Sequence, residues 1–169
     1  MRHLIPIPLL AGLAACQTPS PATTASAPAA VPPMRADPAP LAPVRATEVR
    51  DRAALERLRG NAGLTLQWIG WEKRGLLEVS QRGEIVHIKG SQDAPDGKGR
   101  LEVEGDVLSI DATHFILRGR IAITDTPDEG RKCVKQGDSE FAITQGRKYW
   151  RMREFEWCDQ LTDYVDIYF

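Results

Sequence analysis

The chain has 169 residues, with 22 Lys and Arg against 23 Asp and Glu, a formal net charge of −1, and 42% hydrophobic residues. That balance excludes the net basic footprint usual in nucleic-acid binders. Beyond a Pro-rich N-terminal part, about 120 residues remain, enough for one domain with a modest core.

The N-terminus reads MRHLIPIPLLAGLAACQTPSP. Arg2 and His3 precede an apolar run, Leu4 to Ala15, too short to cross a ~30 Å hydrocarbon layer as a helix but suited to a secretory signal over residues 1–15. The end of the run, Leu13-Ala14-Ala15-Cys16, resembles the lipobox of bacterial lipoproteins. The resemblance implies cleavage before Cys16, lipidation of its sulfur and acylation of the new amine, hence a stable membrane anchor. Gln17 stands where an Asp would direct retention, so the same resemblance implies an outer-membrane, periplasm-facing location. Residues 16–47 hold eight of the twelve prolines and no aromatic residue. Such a segment buries too little apolar surface to offset its ordering entropy and is expected to be a disordered tether.

The domain is expected over residues 48–169. It opens with TEVRDRAALERLRGNAG, a helix at about 48–59 that Thr47 or Asp51 caps and Gly60 ends. From Gly63 the apolar period changes to two. GLTLQWIGW, LLEVS, EIVHIKG, RLEVEG, VLSID, HFILRGRIAIT, EFAIT, RKYWRMREF and YVDIYF are short β-rich runs. Gly, Asp and Pro pairs lie between them, including Gly105-Asp106 and Gly137-Asp138, which read as turns. Eight or nine such strands predict an all-β fold: a small antiparallel meander barrel, with a two-layer sandwich as the alternative.

Cys133 and Cys158 are the cysteines left once Cys16 is acylated. In an oxidising compartment they are expected to pair, closing a loop of about 26 residues and stabilising the fold by roughly 3–4 kcal/mol. No catalytic motif stands out, and no cofactor is implied. With His87 and His114 alone in the domain, and both far from the cysteines in sequence, no metal set is expected either.

In RKYWRMREFEW, strand alternation puts Trp150 and Met152 on one face. Tyr149, Arg151, Arg153, Phe155 and Trp157 fall on the other. That second face has two readings. One is structural, with cations stacking on rings and pairing with the acids of the next strand. The other is a binding surface formed by Trp71, Tyr149, Arg151, Arg153 and Trp157. Trp68 reads more readily as core. The block FAITQGRKYWRM, followed by Cys158 and DYVDIYF, resembles uncharacterised lipoproteins of alphaproteobacteria over most of the domain, which implies an envelope location and assigns no activity. The leading expectation is a non-catalytic, membrane-anchored module binding an envelope protein or glycan. The alternatives are a barrel carrying a small ligand in an apolar cavity, and a cell-wall hydrolase or lysozyme-inhibitor-like protein.

Overall fold

The computed structural model of the protein describes residues 40–169, so the signal-like segment 1–15, Cys16 and most of the expected tether lie outside the described residues. The chain enters through β1 (Glu48–Val49) and α1 (Arg52–Arg59). Next come β2 (Leu64–Leu66), β3 (Leu76–Arg82), β4 (Ile85–Asp93), β5 (Arg100–Ile110) and β6 (His114–Thr124). It ends with β7 (Lys132–Ala142), β8 (Tyr149–Met152) and β9 (Val165–Tyr168).

The fold is an all-β, nearly closed antiparallel barrel with one short helix. The strand order is β2-β9-β8-β7-β6-β5-β4-β3. The two ends of that order meet where Leu64 and Gly75 exchange backbone hydrogen bonds of 3.1 and 2.8 Å. Alternation sends one face of each strand inward. The interior is filled by Leu64, Leu66, Ile88, Leu101 and Ile121, with Phe115 stacked on Phe141 at 4.7 Å and edge-on to Trp150 at 5.7 Å. Burying each such side chain contributes about 1.5–3 kcal/mol.

The helix is shorter than its sequence pattern. Glu48 and Val49 pair in parallel with Ser109 and Ile110 of β5 instead of coiling. Asp51 then takes an extended backbone and accepts the Ala54 N–H at 2.7 Å, which sets the helix start at Arg52. Ala54, Leu55 and Leu58 join the core.

Two of the expected turns are absent. RLEVEG and VLSID form the single strand β5, and β7 runs unbroken through Gly137-Asp138. Gly105, Gly119 and Gly137 lie in register across β5, β6 and β7. A Cβ on Gly105 would come within 2.5 Å of the Arg118 carbonyl oxygen, and one on Gly119 within 2.1 Å of that of Glu104. Gly105 and Gly119 mark a close approach of neighbouring strands rather than chain reversal, whereas Gly137 has open space around it and a φ of +145°.

Candidate functional site

β8 and β9 build the floor of the site on the outer wall. Trp150, Met152, Val165 and Ile167 point inward and are fully buried, so Tyr149, Arg151, Asp166 and Tyr168 face outward. The register sets Arg151 opposite Asp166 and Tyr149 opposite Tyr168. Arg151 Nε and Nη2 donate to the two carboxylate oxygens of Asp166, each at 2.7 Å. That bond raises the guanidinium pKa above its ordinary value, against the opposing effect of burial. The same guanidinium lies 3.9 Å from the Tyr164 ring centroid and 5.2 Å from that of Tyr149.

The segment from Gln67 to Gly75 forms the side of the site. β2 ends at Leu66, and the chain turns there, carrying Trp68 and Trp71 out of strand alternation. Gln92, 2% exposed, fastens this turn. Its Nε2 donates to the carbonyls of Gly70 (2.9 Å) and Lys73 (2.8 Å), and its Oε1 accepts the Leu66 N–H at 2.6 Å. Trp68 Nε1 donates to Asp163 Oδ1 at 3.0 Å. Asp163 is fully buried and shares Arg131 with Asp159. Burial would lower the Arg131 pKa, but the bonds to the two carboxylates raise it well above the ordinary guanidinium value. Arg131 in turn lowers the pKa of Asp159.

Between floor and side opens a pocket of about 450 Å³. Gln67, Trp68 and Trp71 come from the turn, Tyr164 from the approach to β9, and Arg147, Tyr149 and Arg151 from the approach to β8 and its outer face. Three of the five residues flagged in the sequence, Trp71, Tyr149 and Arg151, meet here. The other two do not, because β8 stops at Met152 and the alternation that aligned them with Tyr149 ends with it. Arg153 is exposed, 6.0 Å from Phe155. Trp157 turns toward the core next to Cys158, which is disulfide-bonded to Cys133. Trp68, expected in the core, instead lies half-exposed at the pocket, and Gln67, Arg147 and Tyr164 join it without a sequence signal of their own. The signals for Trp68 were the break at Gly70 and the distant acid Asp163, of which only the first is visible in sequence.

No lining residue of the pocket is Asp, Glu, His, Ser or Cys, so the lining supplies no carboxylate pair. It can stack rings and donate hydrogen bonds. A second concavity of about 450 Å³ lies outside β3 to β6, but its charges are largely committed to one another. Lys89 pairs with Glu104 at 3.0 Å, Arg100 with Glu102 at 3.1 Å and Arg120 with Glu102 at 3.3 Å. Cys133, Cys158 and Asp159 bring ligand-type atoms within 4.8 Å of one another, but both sulfurs are consumed by the disulfide.

A family model described as the PM1083 family matches residues 46–169, the whole of the barrel. The chain belongs to the PM1083 family. The Pasteurella multocida (strain Pm70) protein described as uncharacterized protein PM1083 is 36% identical over 115 residues, covering 67% of this chain and 74% of the relative. No solved structure matches. The PM1083-family match spans both strands and the turn that make the pocket.

Proposed function

We propose that this PM1083-family barrel binds a small ligand, held in the outer-wall pocket of Trp68, Trp71, Tyr149 and Tyr164. The observation that supports this reading is the convergence of four aromatic rings and two arginines on one concavity that is open among the described residues. Trp71 is 53% exposed and Trp68 37%, whereas Trp150 is fully buried. Pockets of several hundred Å³ lined by rings with a few placed polar groups are the usual form of small-molecule sites. The lumen is packed with side chains, so the ligand is held on the wall.

The four tryptophans make a direct test. In two-dimensional NMR of the full chain, a set of small ring compounds is expected to move the indole N–H resonances of Trp68 and Trp71 and leave those of Trp150 and Trp157 in place. Movement confined to Trp150 and Trp157 would put the ligand in the lumen instead.

The Leu13–Cys16 lipobox supports a second element of the proposal, that Cys16 carries lipid and holds the barrel at a membrane. An expected mature N-terminus at Cys16 bearing acyl mass checks this by mass spectrometry; an unmodified Met1 would reject it.

A further inference from the structure

The free donors of the pocket outnumber its acceptors, which are the two tyrosine hydroxyl oxygens, and Tyr149 Oη already accepts from Arg151 Nη2 at 3.4 Å. The Gln67 amide is used at both ends, its Nε2 donating to the Thr162 carbonyl at 2.7 Å and its Oε1 accepting the Tyr164 N–H at 3.3 Å. The Trp68 N–H is committed to Asp163, and two nitrogens of Arg151 to Asp166. What remains for a ligand is the Trp71 indole N–H, the phenol protons of Tyr149 and Tyr164, Nη1 of Arg151, and the guanidinium of Arg147. Among the described residues Arg147 has no ion pair and no side-chain hydrogen bond; it rests 5.7 Å from the Tyr149 ring centroid. Asp166 neutralises Arg151 from beneath, so the lining carries one uncompensated positive charge.

Ligand chemistry follows from that inventory. A group that only accepts hydrogen bonds and carries negative charge matches three neutral donors and a free guanidinium. A flat ring face matches the exposed indole of Trp71. Resting on the reading of the pocket as a ligand site, we propose that its ligand is a ring bearing a carboxylate, with the ring against Trp71 and the carboxylate on Arg147. Acidic sugars and aromatic acids share this chemistry.

The test uses two matched pairs on the full chain: glucuronate against glucose, and benzoate against benzyl alcohol, each titrated by tryptophan fluorescence at about 0.01 M salt and again in about 0.5 M NaCl, where the reach of the charge falls from about 30 Å to about 4 Å. At least one acid is expected to bind about ten-fold or more tightly than its neutral partner, with the advantage shrinking in salt. Which pair shows it separates the sugar from the aromatic source. Arg147→Gln is expected to weaken the acid far more than its neutral partner, so that the ratio of their affinities falls toward one, and Trp71→Ala to weaken both members of the pair. Arg147 is outside the core, so loss of fold is not expected, and circular dichroism verifies it. Equal affinity for acid and neutral ring, or an advantage that survives Arg147→Gln, overturns the carboxylate assignment and leaves the ligand site standing. Failure of all four probes to bind overturns both.

Discussion

The Arg131 side chain is 4% exposed, and its five N–H groups all find acceptors. Nε and Nη2 reach Asp159, Nη1 and Nη2 reach Asp163, and Nη1 also reaches the Thr126 carbonyl. Asp163 then accepts the Trp68 indole N–H, so a buried ion pair fixes one wall of the pocket. Removing one partner of such a pair leaves a buried charge uncompensated. Arg131→Met is therefore expected to cost about 3–5 kcal/mol of unfolding free energy by urea titration, and to shift the Trp68 indole resonance. A loss below about 1 kcal/mol would mean that Asp163 finds another partner. None of this was legible in sequence, because Arg131 stands 28 and 32 residues from its two carboxylates. Tyr149 and Arg151 were legible because each lies on the polar side of a short apolar alternation, and Trp71 because it stands among charges just past the break at Gly70. Arg147 was not: before β8 the chain is a turn, and alternation says nothing about where a turn residue points.

At the scale of elements, period-two patterning located almost every strand, since one face of each is buried, and the Asp51 and Gly60 caps located the helix. It failed where glycine has two uses. Gly-Asp is a turn signal when the chain reverses, but Gly105 and Gly137 are strand residues aligned with Gly119. The distinction depends on a neighbouring strand that single-sequence patterning does not contain. At Gly105 and Gly119, β5 and β6 approach so closely that a side chain on either would meet the other's backbone. Gly119→Ala is expected to destabilise by about 1–3 kcal/mol, the usual cost of overpacking, measured by the shift of the urea midpoint at unchanged slope. A neutral result would show that β5 and β6 can separate there without loss of pairing. The same reasoning covers α1: helix propensity allowed a start at residue 48, and a long-range parallel pairing with β5 overrode it.

For the molecule as a whole, closure rests on two seams of unequal character. One is backbone: Leu64 and Gly75 join β2 to β3, and Gln92 braces the turn behind them. The other is largely side-chain. β8 pairs with β7 only at Phe141 and Ala142, leaving most of β7 without a strand on that side. There the Cys133–Cys158 disulfide and the Arg131 ion pairs hold the segment from Arg153 to Asp163, which packs Trp157 onto the core and leads into Tyr164 and β9. Reduction frees this segment at one of its two attachments and lengthens the loop that β9 must close in folding. On the chain-entropy account the bond contributes roughly 3–4 kcal/mol, which for a domain of this size lowers Tm by roughly 10 °C. Because Tyr164 and Asp163 end the same segment, reduction is also expected to broaden the indole resonances of Trp68 and Trp71 while that of Trp150 stays sharp. The comparison of oxidised and reduced chain by calorimetry and NMR decides it: an unchanged Tm would mean that the Arg131 pairs alone carry the second seam, and uniform broadening of all four indoles would mean that the barrel opens as one cooperative unit rather than at that seam.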